Sequence, residues 1–470
     1  MHTAQRITIY WRRFTSGSTN RRIFGSIITV GGFGVGVKTV AFIKELIVAQ
    51  AFGTSDALDA FLVAFVLPTY LLLVVASPFA GALVPSFVRV EAQAGREQAQ
   101  RLLSSVVMLL LVLVGSMSLL LAVASQFILP LIGSGFSPGK LMATLGLLLV
   151  LLPAALLGGL IELAVATANT GGRFAFTSAS AVVIPLATVV TVLTLREQWG
   201  AYAIVAGVVG GYLVQLSLLI WRLRQDHLSL WPRWHGWSPD LRRVLAQYWP
   251  VVLGAALHNS SMLVDQAMTT PLGSGSVAAL NYGNKLVALV QGVGAMALGT
   301  AILPYFARMV AAQDWRGVSH SLMTYTKLIV LTTVPFALGV VAISYPLIAL
   351  VYQRGAFTAA DTLVVSRVQA MFVLQLPFFT LGILFVQITL SLGATRILLW
   401  GAIMNVALNI ILNYVLRAYF DVAGIALSTT LMYAASSLYL FIMLRRKLPQ
   451  IETNIDANHS AHSIAASGRR

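Results

Sequence analysis

The chain has no cysteine in its 470 residues, so disulfides, thiolate chemistry and Cys-ligated metals are excluded and the redox compartment is left unspecified. Charge is scarce as well: Asp, Glu, Lys and Arg make up 10% of residues, and only 15 are acidic. The seven histidines show no metal-ligand spacing such as HExxH, and no DxD pair occurs. No stretch between apolar runs exceeds about two dozen residues. An enzyme built on paired carboxylates or a metal in an extramembrane domain is therefore disfavoured, and nothing calls for a cofactor.

What is abundant is hydrocarbon. Hydrophobic residues make up 58% of the chain and mean hydropathy is +0.84, the composition of an all-α polytopic membrane protein. Apolar windows fall near 25–50, 58–88, 103–124, 141–167, 174–195, 199–221, 247–270, 276–306, 322–352, 362–392, 395–416 and 421–444, about twelve spans. With the N-terminus inside, one side collects about 22 Lys and Arg, from Arg6 to Arg470. The other receives about 4: Lys140, Arg196, Arg354 and Arg417. The asymmetry predicts that both termini are cytoplasmic. It also accounts for most of the net charge of +16 without a nucleic-acid partner.

The organisation expected from this is a cytoplasmic N-terminal segment (1–24) lying along the membrane interface and an N-lobe (25–221). A cytoplasmic linker with several tryptophans (222–246), a C-lobe (247–445) and a polar, disordered tail (446–470) follow. The two halves repeat. "ALVPSFVR" (82–89) recurs as "AILPYFAR" (301–308), "PLIGSGFS" (130–137) is echoed by "PLIALVYQRGAFT" (346–358), and "NTGGR" (169–173) faces "SLGATR" (391–396). The offset is about 220 residues each time, and six spans per half put both halves in one orientation. Two parallel six-helix lobes around a central cavity are predicted.

A charge near the bilayer centre costs on the order of 2.5–3.5 kcal/mol, so those that persist face water, a partner or a substrate. Lys38 and Glu45, seven apart, share one face of the first helix, with Lys44 beside Glu45. The repeat offset places His258 and Asp265 in the equivalent seventh helix, Lys285 lies in the eighth, and Asp59 opens the second. For the acids, charge pairing competes with ion coupling. For the lysines, snorkelling to the interface competes with substrate binding. "GGFGVGV" (31–37) reads either as a hinge or as small-residue helix packing.

The stretches "IKELIVAQAFGTSDALDAFLVAFVLP", "GSGSVAALNYGNKLVALVQGVGAMALGTAILPYFAR" and "LVYQRGAFTAADT" give the chain a specific resemblance. Over roughly residues 25–445 it resembles the MviN/MurJ family of lipid-linked saccharide flippases. That family sits within the superfamily of multidrug, oligosaccharidyl-lipid and polysaccharide exporters. The resemblance implies a V-shaped two-lobe transporter in the bacterial cytoplasmic membrane, carrying undecaprenyl-pyrophosphate sugars, typically lipid II, to the outer leaflet by alternating access. It implies a lipid-linked pyrophosphate and membrane lipids as binding partners, with cell-wall or polysaccharide synthesis enzymes acting alongside. On the same resemblance Lys38, Lys44 and Lys285 stand where arginines are usual, Glu45 stands for an aspartate, and Asp59 matches directly. Leu72, in "LPTYLLL", stands where a basic residue is usual, and two further helices common among lipid II transporters are not expected within about twelve spans. Lysine keeps the charge but not the bidentate fork. An exopolysaccharide or O-antigen repeat unit is thus an alternative substrate. A drug/cation antiporter fits less well, because its cavity would favour acids over cations.

Overall fold

The computed structural model describes residues 19–467. Most of the segment expected along the interface therefore lies outside the described residues. The described residues are helical, with no strand among them. In chain order the helices are α1 (Thr19–Phe52), α2 (Asp56–Leu71), α3 (Ser77–Ile132), α4 (Pro138–Leu151), α5 (Pro153–Thr170), α6 (Phe174–Ser180), α7 (Val183–Trp199) and α8 (Tyr202–Gln225). There follow α9 (Pro239–Thr269), α10 (Ser276–Ala311), α11 (Trp315–Ala342), α12 (Ser344–Tyr352), α13 (Ala359–Val373), α14 (Leu376–Ser391) and α15 (Thr395–Ser467).

Two of these are double. Gly95 (φ 82°) breaks α3, and Asp421 (φ 49°) breaks α15, each dividing one continuous run into two crossings. The pairs α4–α5, α6–α7 and α13–α14 each make one crossing, joined over short kinks. Counted so, with α2 running through the turn at Leu72–Ala76 into the first half of α3 and α12 following directly on α11, the described helices agree with the about twelve spans that the hydropathy predicts.

The chain divides into two compact units, residues 1–259 with 354–356, and 260–353 with 357–470. The first is built on Phe79, Leu83, Phe87, Leu103, Leu110, Leu219 and their neighbours, all buried. The second holds two clusters, one around Phe306, Leu322 and Phe385 and another around Val368, Phe372 and Ile425.

The sequence repeat is also a repeat of local structure. Pro85 lies inside α3, ten residues before the Gly95 break. Pro304 lies inside α10, nine before Gln313, which takes φ 55° just past the helix end. Ser137 caps α4 by accepting from the Lys140 N–H, and Thr358 caps α13 by accepting from the Asp361 N–H. The "NTGGR" and "SLGATR" turns close in the same way. Gly172 (φ 75°) and Gly393 (φ 63°) take the left-handed position, and the next residue donates five back, Arg173 to Ala168 and Ala394 to Thr389.

Between α2 and α3 the chain makes one π turn, Leu72–Ala76, after Pro68. Proline lacks the donor that continues an α-ladder, and a wider turn leaves a carbonyl to be satisfied elsewhere. Buried Tyr248 does this, donating its hydroxyl to the Val75 carbonyl at 2.9 Å while its ring stacks on Phe79 at 4.1 Å. Helices α7 and α8 pack still more closely. A Cβ at Gly207 would lie 2.4 Å from the Thr188 Cα, and one at Gly211 2.7 Å from the Ile184 Cα, so only hydrogen fits.

Two boundaries differ from expectation. The segment expected as a linker is helical at both ends. α8 runs to Gln225 and α9 starts at Pro239, where the Ser238 hydroxyl accepts from the Leu241 N–H and proline occupies the first turn. The tail expected to be disordered from 446 instead continues α15 to Ser467, through Pro449.

Candidate functional site

In α1, Lys38 is exposed, whereas Lys44 and Glu45 are partly buried and joined, Nζ to Oε1, at 2.7 Å. Adjacent residues on a helix point about 100° apart, so this contact needs the long lysine stem to fold round the helix. Lys38 lies on the same face as Glu45, two turns away.

Asp59 is fully buried in the first turn of α2, where its Oδ2 lies 3.0 Å from Lys140 Nζ. Lys140 also reaches Asp56 at 2.5 Å and sits 3.9 Å from the Phe136 ring centroid. A cation held by two carboxylates and a ring face ties the start of α4 to the start of α2.

In α9, His258 is exposed and Asp265 partly buried. Asp265 Oδ1 accepts from Asn409 Nδ2 at 2.9 Å and from Asn413 Nδ2 at 2.7 Å, both asparagines being fully buried in α15. Asn413 Oδ1 accepts from the Ser428 hydroxyl, and Asn409 Oδ1 is buried with no hydrogen-bond partner among the described residues. The Asp265 carboxylate thus sits beside a buried amide whose own oxygen accepts no hydrogen bond among the described residues, both within the second unit. Sequence reasoning passed over these asparagines. Their signal was present in "NVALNIILN", where Asn405, Asn409 and Asn413 recur every fourth residue of an apolar span and so share one helix face. Lys285 lies in the third turn of α10, partly buried.

Among the described residues no group of three His, Cys, Asp or Glu side chains is placed to hold a metal ion. One acid escaped the sequence reading. Glu162 sits in the middle of α5 with an exposed side chain, on the helix that also carries Gly158 and Gly159 against Leu72 and Ala76.

At the end of α8, Arg173 grips Asp226 with a two-pronged contact, Nη2 to Oδ1 at 2.8 Å and Nε to Oδ2 at 3.2 Å, and Arg222 adds a third at 3.2 Å. Arg96 donates to the Asp226 backbone carbonyl. The Arg173 hydrogen bond holds the Asp226 carboxyl below its usual range. Thus the arginine of the "NTGGR" turn is a structural clamp.

A family profile described as "Lipid II flippase MurJ" matches residues 48–467. The chain is 27% identical over 430 residues to a probable lipid II flippase MurJ of Rhizobium meliloti, covering 88% of this chain and 79% of that one. It is 25% identical over 439 residues to the lipid II flippase MurJ of Burkholderia cenocepacia, covering 90% and 84%. A solved "Lipid II flippase MurJ, inward closed conformation" superposes with a TM-score of 0.76 at 21% identity, over 89% of this chain and 87% of that one. An inward-facing multidrug resistance MATE family transporter of the MOP superfamily gives 0.75 at 12% identity, over 91% and 99%. At these identities the structural likenesses establish the fold alone, and the profile establishes the lineage: the chain belongs to the MurJ family.

Proposed function

We propose that this protein moves lipid II across the bacterial cytoplasmic membrane, from the inner to the outer leaflet. Its curated relatives are named lipid II flippases, and the family match spans nearly the whole chain. The observation that carries the reading is Lys38, an exposed cation in the middle of an apolar helix. Hydrocarbon there would cost on the order of 2.5–3.5 kcal/mol, so the side chain faces water or an anion, and the diphosphate of a lipid-linked sugar is the anion the family name supplies.

In this reading Lys38 and Lys285 hold the pyrophosphate as point charges. Lys44 contributes its charge when Glu45 releases it. The excess of basic residues on one side of the membrane supports both termini being cytoplasmic. Asp59 is taken up by Lys140, which leaves Asp265 as the stronger candidate for a coupling site. Its carboxylate, with the amide oxygens of Asn409 and Asn413, offers oxygen ligands suited to a monovalent cation or a proton.

The direct measurement is flipping of lipid II by purified protein in proteoliposomes, read by access of an external reagent to the headgroup. Transport by the parent, its loss in Lys38→Ala and its dependence on a cation or proton gradient in the parent but not in Asp265→Asn are expected. Equal headgroup exposure in protein-free vesicles would overturn the assignment. Gradient-independent transport would remove the coupling role of Asp265 alone.

A further inference from the structure

Beyond the transport path, the first unit carries a second concentration of positive charge. A cavity of about 510 Å³ opens between the N-terminal part of α3 after its break and the segment that follows α8. Arg101, Arg224, Arg233, His227, His235 and Trp231 line it, with Glu97 as its one acid. Glu97 is already engaged by Arg101 at 2.7 Å and is 79% exposed. Neither Arg224 nor Arg233 forms an ion pair among the described residues, and the neighbouring Asp226 is taken by Arg173 and Arg222.

The wall that carries these charges is fixed in place. Leu228 and Leu230 are buried in the core of the unit, so the alternating chain turns Trp231 outward. Gln100 holds Ser229 from both sides, donating to its carbonyl at 2.7 Å and accepting its N–H at 2.9 Å. His227 closes the end of α8 at φ 53°, in the left-handed position that glycine fills most easily, so an imidazole is kept where a hydrogen atom would be cheaper. The segment begins where an apolar crossing ends. Trp231, Trp234 and Trp237 are exposed by 67%, 44% and 59%, a band of indoles of the kind found at headgroup depth. Guanidinium groups without partners, rigidly held beside such a band, match the phosphate of a membrane lipid.

We propose that this cavity binds the headgroup phosphate of an anionic glycerophospholipid, fastening the segment between α8 and α9 to the membrane surface. Arg224 and Arg233 supply the free donors, Arg101 a third that is shared with Glu97, and the indoles bury beside the acyl boundary. The inference is independent of the transported substrate, since it uses no residue of the proposed transport path.

The test is native mass spectrometry of the purified full-length protein titrated with phosphatidylglycerol or phosphatidylcholine, with thermal unfolding of each variant as the control for folding. The parent should retain phosphatidylglycerol at least about tenfold more tightly than phosphatidylcholine. Arg224→Gln/Arg233→Gln should lose about tenfold for the former and nothing for the latter. Glu97→Gln should strengthen phosphatidylglycerol binding by releasing Arg101. No headgroup preference in the parent, or unchanged preference in both variants, would overturn the proposal. So would displacement of the lipid by soluble glycerol phosphate at comparable concentration, which would identify a site for a free phosphate.

Discussion

The carboxylate of Asp59 lies 3.0 Å from the ammonium of Lys140, across 81 residues of sequence, with Asp59 fully buried. A buried pair of this kind adds little over an apolar pair of the same shape, but removing one partner strands the other. Lys140→Met should therefore cost about 3–5 kcal/mol, and Asp59→Asn/Lys140→Met should recover much of that loss. Thermal unfolding in detergent reads both. A double variant as unstable as the single one would assign Lys140 its effect through Asp56 or Phe136 instead.

The π turn gives a second expectation. Tyr248→Phe keeps the ring stacked on Phe79 but takes the donor from the Val75 carbonyl. A buried carbonyl without its partner costs about 1–3 kcal/mol, so the variant should unfold at a lower temperature while the helical circular-dichroism signal of the folded state is unchanged. Equal melting temperatures would mean that another donor takes up the carbonyl.

The clamp on Asp226 is a pH device for stability. Its pKa is lowered in the fold, chiefly by the Arg173 hydrogen bond, so its contribution is present above the unfolded carboxylate value of about 4 and is lost as pH falls through the lower folded value. Asp226→Asn should accordingly be less stable than the parent at neutral pH, and the gap should close in acid. Melting temperatures of the two proteins from neutral pH downward check the sign. A gap that widens in acid would contradict it.

Transport should depend on charge at Lys38 and Lys285 and tolerate a change of shape. Alanine at either position should abolish lipid II flipping at matched protein levels, arginine should preserve it in part or in full, and glutamate should be worst, because it sets like charge against the diphosphate. If the alanine variants transport as well as the parent, these lysines are snorkelling or structural, and the pyrophosphate clamp fails without touching the family assignment.

The sequence by itself determined the membrane class, the crossing count and the repeat. The hydrocarbon content of each window is a sum over local residues, and Gly172 and Gly393 close the same turn in each half through a local left-handed conformation. The family was legible for a similar reason, because its motifs are contiguous stretches. Helix ends were less so, since capping by Ser238 turns on a single hydrogen bond rather than on hydropathy, and α15 runs on to Ser467 through a polar stretch.

Which charges pair over long distances in the chain was decided by tertiary structure alone. Asp59 and Glu45 look alike in the sequence as acids near an apolar span, yet one is closed off by Lys140 from α4 and the other by its neighbour Lys44. Asp265 has amides instead of a cation at hydrogen-bond distance because α15, nearly 150 residues on, brings Asn409 and Asn413 to it. Hydropathy records the cost of placing a charge in the bilayer. Only the packing of distant helices determines which group offsets that cost, because electrostatic attraction in a low-dielectric interior depends on ångström-scale separation and not on order along the chain.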